Sequence, residues 1–513
     1  MKLLENLTTD KRKVLAVAVL IVAAAALFRF YNIGWSFSNN GVDEGIMLER
    51  ARMVSAGYDL YTELPCDQAP LAFLIGSVFE GDVVVLRALT ATLSMVAIVA
   101  CMIASKKQQG NMAMIVTGLL LAVDFALLRE SRLFSLDGIS AFFLAFALPP
   151  YLHYLRHGSR AALVVAGLLV GISAASKLFG GIALAGMLLF MLVDHLTSNR
   201  DSRKPARTIV DLLLLSIAAA VPMALLLVTL GPSNMLNGML FDQGHRQFDL
   251  VMKLSIPIFF GLNLAYALPL VFLRRTWSHS REARFLLILT VVLLADFVLQ
   301  PLVFLHHMVL MSPGLAILSG MLIAREYENK KGLFVEKVEV VSRKKNTSEA
   351  RALMAVSLVG ILVSAGLASY GLVAQQEPGQ LVYADKIAAW TTPDDWIISG
   401  DPLITSYAER LTPPTVVNVG TRIYPELTID EVEQAVVEYD VAVFVLTYRF
   451  FEDDMAGLAS FLENHGYGEV ASDFMGEWSN SAFGVFEDTR VGMVFVRDDI
   501  IEAFDLPTEG GTA

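Results

Sequence analysis

Eleven apolar stretches, each about as long as a bilayer-spanning helix, restrict the fold of this 513-residue chain more than any other feature. A span needs about 20 mostly apolar residues, and about 17 can suffice. Charged residues make up 18% of the chain, well below the roughly 25% of a soluble protein. The sequence therefore predicts a mainly α, polytopic membrane protein. The predicted spans are 14–30, 83–103, 111–128, 136–155, 161–175, 178–195, 208–230, 254–273, 285–301, 307–323 and 351–373.

The distribution of Lys and Arg predicts the orientation in the membrane. The loops on the side of the N-terminus contain 24 of these residues, and the opposite loops before residue 375 contain 7. Cytoplasmic loops carry the excess of positive charge. We therefore expect a multi-pass protein of the cell (plasma) membrane, with the N-terminus in the cytoplasm and the C-terminal part outside.

Charge also divides the chain into two predicted domains, a membrane domain at 1–374 and an acidic domain at 375–513. The second contains 26 Asp and Glu but only 6 Lys and Arg. Apolar runs at 396–400, 441–446, 483–486 and 493–496 predict strands, and Thr428 with Glu431 predicts a capped helix. We expect a soluble α/β domain on the outer side. The net charge of −12 for the whole chain argues against nucleic-acid binding.

The first outer loop, 31–82, is the longest loop of the predicted membrane domain. Its segment 46–56 has apolar residues at helical spacing, which predicts a helix lying in the membrane interface. Asp43 falls at the predicted N-cap, where capping alone would explain a carboxylate. The polar face of this helix would carry Glu49, Arg50 and Arg52.

Further charged and imidazole groups lie in the sparse outer loops. Any one of them is explained by snorkelling or by an interfacial ion pair. Together they indicate an outward-facing site at the level of the lipid headgroups, where cations bind a phosphate and a carboxylate activates a hydroxyl or amine. That chemistry suits sugar transfer from a polyprenyl-phosphate donor. The groups are Arg132, Asp137, Lys177, His245, Arg246, His306 and His307.

At these residues the chain resembles the GT-C glycosyltransferases, in particular the superfamily of dolichyl-phosphate-mannose protein mannosyltransferases and lipid A aminoarabinose transferases. The resemblance extends over about 14–320. It rests on an ordered set of motifs: Asp43-Glu44 followed by Ala51, Gly57, Tyr61 and Pro70-Leu71, then Arg132 and Asp137, Ser173 to Lys177, and His306 or His307 with Pro313.

The resemblance implies the GT-C fold and catalysis on the extracytoplasmic face. It implies that Asp43, with Glu44 beside it, acts as the general base for an acceptor that is a protein, a lipid or a glycan. The donor would be a dolichyl or undecaprenyl phosphate sugar, and attack would invert the anomeric carbon. We expect the leaving phosphate to be bound by Arg132, Lys177 and Arg246. Asp137, Tyr61, His306 and His307 would complete the site.

The chain departs from the aminoarabinose transferases after the first outer helix. Where those enzymes have Glu-Lys-Pro, this chain has Asp67-Gln68-Ala69-Pro70. The carboxylate is kept and the lysine is lost, which disfavours aminoarabinose as the donor sugar. Some relatives hold a zinc ion between that carboxylate and a later histidine. Asp67 and His245 could bind a divalent metal ion in the same way, so the sequence does not decide whether the protein uses one.

Two other classes of function remain as alternatives. A flippase or transporter of lipid-linked glycans should carry charges near the middle of its spans and internal repeats. A sensor should carry a signalling domain on the inner side. Neither pattern is found in the sequence, so a glycosyltransferase is the leading hypothesis.

Overall fold

The computed structural model describes residues 9–35, 41–197, 205–241, 248–333, 344–373, 377–417, 427–447, 450, 455–475 and 493–509. Among these residues, the part of the chain before residue 374 forms sixteen α-helices. Its 3₁₀ and π segments are not included in this number. The α-helices are α1 Thr9–Phe30, α2 Gly41–Ser55, α3 Leu71–Ser77, α4 Val83–Val123, α5 Phe125–Ser131, α6 Leu136–His157, α7 Arg160–Ser176, α8 Phe179–Thr197, α9 Pro205–Leu230, α10 Pro232–Leu236, α11 Ser255–Leu262, α12 Leu264–Val271, α13 Leu273–Trp277, α14 Arg281–Leu299, α15 Ser312–Leu333 and α16 Lys344–Val373.

Helix α4 is two antiparallel helices joined at a tight reversal. Gly110 has a φ of +79°, a left-handed conformation that favours glycine. Beyond it, Thr117 donates a hydrogen bond to Ser105 at 2.8 Å, and a Cβ on Gly118 would lie 2.8 Å from the sulfur of Met102. These contacts require the chain to run back along itself. The element therefore supplies the second and third predicted spans.

The spans predicted from hydropathy fall on helices of the structure. In the described ranges, seven helices are long and apolar enough to cross a membrane when α4 is counted once. One bent pair of helices, if it forms a single span, makes eight. That pair, Val251–Leu262 with Leu264–Val271, bends by 96° at Asn263. The expectation of a mainly α, polytopic membrane protein is confirmed, whereas the number of eleven spans and their orientation stay predictions.

A 3₁₀ helix, Leu305–Met311, leads directly into α15 and brings two histidines to one end of the bundle. The apolar part of this segment is wholly buried inside the protein. Gly320 allows close packing against α4, since a Cβ there would lie 2.3 Å from Oγ1 of Thr117. The 3₁₀ helix is therefore fixed by a central helix of the bundle.

The C-terminal part is a small α/β domain, as predicted. Its four-stranded sheet has the order β1-β2-β4-β3, with β1 parallel to β2 and the other pairs antiparallel. Buried apolar residues of β1, β2 and β4 form the core with the flanking helices. The elements are α17 Gly379–Trp390, β1 Ile397–Ser399, α18 Pro402–Ala408, α19 Ile429–Glu438, β2 Val443–Leu446, α20 Met455–Asn464, β3 Tyr467–Glu469, α21 Ser472–Met475, β4 Met493–Arg497 and α22 Asp498–Phe504.

Three of the predicted strands correspond to β1, β2 and β4, while the segment 483–486 lies outside the described residues. The capped helix is also confirmed. Thr428 caps α19, and Glu431 accepts a hydrogen bond from the Thr428 amide at 2.8 Å. Strand β3 was not predicted, because its three residues include Gly468 and only one apolar side chain.

Helix α2 differs from the prediction in its start and in its surroundings. It begins at Gly41, so Asp43 lies inside the first turn and not at the N-cap. Glu49 and Arg50 are buried, although they were expected on a solvated face. The reason is that the α/β domain and the first outer loop cover this face of the helix.

Candidate active site

Helix α2 presents two adjacent carboxylates to different surroundings. Asp43 is exposed, whereas Glu44 is only 2% exposed. Arg87 of α4 donates to Glu44 from Nε to Oε1 at 2.8 Å and from Nη2 to Oε2 at 2.6 Å. The amide of Phe134 donates to the same Oε1 at 2.8 Å. Glu44 is thus part of the packing of the first outer loop, and Asp43 is the exposed carboxylate of the pair.

A second group of polar side chains lies where α6, α7 and the 3₁₀ helix meet. Asp137 stands in the first turn of α6, and Lys177 directly follows α7. Lys177 Nζ donates to Asp137 Oδ2 at 2.6 Å, and His306 Nε2 lies 3.8 Å from the same oxygen. Lys177 also lies 5.1 Å from the ring centroid of Phe179. Residues far apart in sequence therefore form one compact cluster.

His306 connects this cluster with the first turn of α2. It interacts electrostatically with Asp43, with Lys177 and with Arg129. Its ring stacks on Phe304, with 5.3 Å between the ring centroids. The predicted residues Asp43, Asp137, Lys177 and His306 are thus brought together by the fold.

Arg129 and Glu130 belong to the same cluster but were not singled out from the sequence. Glu130 is buried, pairs with Arg129 and accepts a hydrogen bond from Ser135. Burial raises the pKa of Glu130, and the nearby negative charge of Asp137 acts in the same direction. Adjacent charges of opposite sign are common in loops, so the sequence carried no signal for this role.

Arg132 lies in a different environment from the one its predicted role suggested. Its guanidinium is fully buried at the end of α1. Nη1 donates to the carbonyls of Phe28 and Arg29 at 2.9 and 3.3 Å, and Nη2 donates to that of Asn32 at 3.2 Å. These bonds give Arg132 the structural task of capping the C-terminus of α1, and its contact with a phosphate stays a prediction.

Asp67 and Tyr61 form another polar group in the first outer loop. Arg50 Nη1 lies 3.8 Å from Asp67 Oδ1, and both side chains are buried. Tyr61 Oη donates to the carbonyl of Gln68 at 2.5 Å, and Tyr61 itself has a left-handed backbone with a φ of +72°. These contacts hold the segment after α2 in a fixed shape. His245 and Arg246 lie outside the described residues.

One set of described side chains has the donor atoms that a metal ion needs. The ligand atoms of Asp137, His306 and His307 all lie within 4.8 Å of one another. Two imidazoles and a carboxylate are a donor set that suits zinc. The ammonium of Lys177, however, already binds the Asp137 carboxylate, so a metal ion would have to displace it. The metal pair suggested by the sequence, Asp67 and His245, is not tested because His245 is not described.

Comparison with known proteins supports the predicted resemblance. Residues 74–235 match the family model described as dolichyl-phosphate-mannose-protein mannosyltransferase. No protein in the curated set matches the sequence.

Solved structures match almost the whole chain. The crystal structure of apo ArnT from Cupriavidus metallidurans has 17% identity and a TM-score of 0.64, and the match covers 96% of this chain and 99% of ArnT. The structure of ArnT from the same organism bound to undecaprenyl phosphate has 16% identity and a TM-score of 0.59, and the match covers 93% of this chain and 97% of that ArnT chain. A third match is the archaeal oligosaccharyltransferase AglB from Archaeoglobus fulgidus in complex with an inhibitory peptide and a dolichol-phosphate. It has 15% identity and a TM-score of 0.53, and the match covers 94% of this chain and 76% of AglB.

Identities this low establish the fold alone. The match with apo ArnT covers 96% of this chain, whose described residues form helices, a broken span and a C-terminal sheet domain. The chain is therefore a multi-pass membrane protein with the GT-C fold, and it resembles the dolichyl-phosphate-mannose-protein mannosyltransferases over 74–235.

Proposed function

We propose that the protein is a membrane glycosyltransferase that takes a sugar from a dolichyl or undecaprenyl phosphate donor. The acceptor is a protein, a lipid or a glycan on the extracytoplasmic face. The observation that carries the proposal is the position of Asp43, an exposed carboxylate beside the cluster of Asp137, Lys177 and His306. Transfer from a lipid phosphate requires a carboxylate to act as base and a cation to bind the phosphate, and Asp43 and Lys177 both interact electrostatically with His306.

In the proposed reaction Asp43 accepts the proton of the acceptor hydroxyl or amine. The acceptor atom then forms a bond to the anomeric carbon while the bond from that carbon to the phosphate oxygen breaks. The electron pair of the broken bond stays on the lipid phosphate. Because attack and departure take place on opposite faces of the sugar, the configuration at the anomeric carbon inverts.

The leaving phosphate gains negative charge and needs cations near it. Lys177 and Arg129 are the described cations of the cluster, and Arg246 is a third candidate from the sequence. Cations in a site from which water is excluded stabilise such charge far more than they would in water. We therefore place the phosphate next to Lys177, with the sugar between it and Asp43.

The nature of the acceptor is limited by charge. The segment from residue 375 onward has a net charge of −20, from 26 acidic and 6 basic residues. Such a field repels anionic molecules and attracts cationic ones. A neutral or basic acceptor is therefore favoured.

The buried carboxylates of the helices do not favour the alternative function, a transporter. Asp124 accepts a hydrogen bond from Tyr266 at 2.9 Å. Asp211 accepts from Tyr154 at 2.9 Å and from Arg160 at 2.8 Å. Both side chains hold helices together, which explains them without an ion or proton pathway.

Transfer of radiolabelled sugar from a panel of polyprenyl-phosphate sugars tests the proposal. Purified wild type, Asp43→Asn and the control Asp59→Asn are compared in nanodiscs, and donor binding is measured in parallel. Asn keeps the size of Asp43 but cannot accept a proton, so we expect a rate at least about 100-fold lower with donor binding retained. Asp59 is an exposed carboxylate of the same loop, and its variant should match wild type.

Two results would contradict the proposal. Equal rates for wild type and Asp43→Asn would show that another group is the base. No transfer from any donor to any acceptor by wild type would favour the transporter.

A further inference from the structure

The α/β domain lies directly on the helix that carries Asp43. The backbones of α2 and α18 approach so closely that a Cβ on Gly45 would lie 2.3 Å from the amide nitrogen of Leu403. Arg52 Nη2 donates to the carbonyl of Ser406 at 3.3 Å. Glycine at position 45 is therefore required for this contact, and the two elements are packed as one unit.

Glu49 lies at the centre of this interface, six residues after Asp43 on the same helix. Its side chain is buried, although it belongs to a residue type that is seldom fully buried without a partner. Oε1 contacts the hydroxyl of Thr405 at 2.9 Å and also the hydroxyl of Thr412. Oε2 has no hydrogen-bond partner among the described residues.

Each of the two threonine hydroxyls that contact Glu49 also has a second possible acceptor. Each threonine hydroxyl has one proton, and each also contacts a backbone carbonyl: Thr405 that of Pro402 at 2.7 Å, and Thr412 that of Ile397 at 2.9 Å. If a hydroxyl donates to its carbonyl, its contact with Glu49 is a hydrogen bond only when Glu49 is protonated, and the single proton of Glu49 can then be donated to one of the two hydroxyls. Burial raises the pKa of Glu49 to about 8, while the hydrogen bonds from Thr412 and Thr405 act in the opposite direction.

A second contact connects the α/β domain with the other carboxylate of α2. The ring of Tyr407 lies 5.7 Å from the guanidinium carbon of Arg87, which in turn binds Glu44 with two hydrogen bonds. Tyr407 Oη also donates to the carbonyl of Gly34 at 3.0 Å. The α/β domain thus contacts α2 at Glu49 and, through Arg87, supports it at Glu44, the residue next to Asp43.

We propose that Glu49 is a positioning residue, which fixes α2 to the α/β domain through Thr405 and Thr412 and so holds Asp43 in its reacting position. The inference rests on the proposed function, because it assigns Asp43 the role of base. A displacement of about 1 Å at a reacting group can lower a rate by about 100-fold. Loss of Glu49 should therefore lower kcat without weakening donor binding.

The test compares Glu49→Ala, Glu49→Gln and Thr412→Val with the control Glu63→Gln, an exposed glutamate of the same loop. Each full-length variant is assayed in nanodiscs for kcat, donor KM and amide hydrogen exchange of α2 and α18. For Glu49→Ala we expect kcat to fall at least about tenfold, KM to stay within about twofold, and exchange to rise in both helices. Glu49→Gln resembles the protonated side chain, so it should stay within about threefold of wild type.

Thr412→Val keeps the test informative if Glu49→Ala does not fold, and it should give a smaller fall in kcat. The inference is wrong if both Glu49→Ala and Thr412→Val keep the wild-type kcat, or if Glu49→Gln loses as much as Glu49→Ala. If wild type itself transfers no sugar, the proposed function fails. In that case hydrogen exchange still decides whether Glu49 joins the two elements: a rise in both helices supports the contact, and unchanged exchange overturns it.

Discussion

Glu44 and Glu49 lie five residues apart on helix α2, and both are 2% exposed. Glu44 is bound inside the protein by a guanidinium that donates two hydrogen bonds to it. Glu49 contacts hydroxyl groups through one oxygen, and its burial raises its pKa and so favours the neutral form. Asp43, beside Glu44, is exposed, and we propose it as the base. Three carboxylates of one helix are thus assigned different tasks by their surroundings.

The pH dependence of stability should report the protonation of Glu49. Its pKa is raised from 4.5 to about 8, so from pH 4.5 to about pH 8 the folded protein retains a proton that the unfolded chain has released. The contribution of this group is therefore fully present below pH 4.5 and is lost as the pH rises to about 8. The charged groups that act on Glu49 are Arg50 and Arg52 of α2. Arg52 in turn interacts with Glu409, Asp82 and Glu80.

We expect the unfolding temperature of wild type to decline relative to that of Glu49→Gln as the pH rises from about 5 to about 8, and the difference to be constant above. Glutamine has no proton to lose in this range, so its variant provides the reference. Thermal unfolding of both proteins in the same detergent over this range measures the difference. Parallel curves would show that Glu49 does not titrate between those pH values.

Among the elements, α2 and α18 form the contact that connects the membrane helices with the α/β domain. The contact depends on a glycine at position 45, because the backbone of Leu403 occupies the space that a side chain would need. Hydropathy cannot reveal such a contact, since neither element is apolar throughout. Hydrogen-bonding groups at Glu49, Thr405 and Thr412 then fix the register of one element on the other.

Gly45→Ala should separate the two elements and lower the rate of transfer. The added methyl group would clash with backbone atoms, which cannot move aside as a flexible side chain would. We expect a fall in kcat of about tenfold or more, with the protein still inserted and monodisperse. Gly366→Ala in α16 is the matched control, because a Cβ at that glycine would have no atom of the described residues within 4 Å. Equal effects of the two substitutions on kcat would contradict the account of the interface.

At the scale of the whole molecule, the sequence predicts most of the fold and part of the site. Spans follow from apolar length, and strands β1, β2 and β4 follow from short apolar runs bounded by turn residues. The cluster of Asp137, Lys177 and His306 could be expected, because few charged residues occur in the predicted outer loops and ionisable groups near a membrane are often functional. His306 interacts electrostatically with both Asp43 and Lys177, so these residues lie near one another, and their roles in a site stay predictions.

The remainder depends on tertiary contacts that have no local pattern. Arg132 was expected at a phosphate, but a loop arginine that caps a distant helix cannot be told from one that binds a ligand. Glu49 and Arg50 were assigned to the polar face of an interfacial helix, and the sequence of that helix does not show that a second domain buries them. Arg87, inside an apolar span, did carry a signal: a charge there is costly unless it is paired, as it is with Glu44.

The most direct test of the central claim is the anomeric configuration of the product made by the purified wild-type protein from a polyprenyl-phosphate sugar of defined configuration. Nuclear magnetic resonance gives the configuration, and release of the lipid phosphate is counted in the same reaction. The account predicts one lipid phosphate released for each sugar transferred, with the anomeric carbon inverted. Retention of configuration, or sugar that crosses the membrane still attached to its lipid, would contradict it.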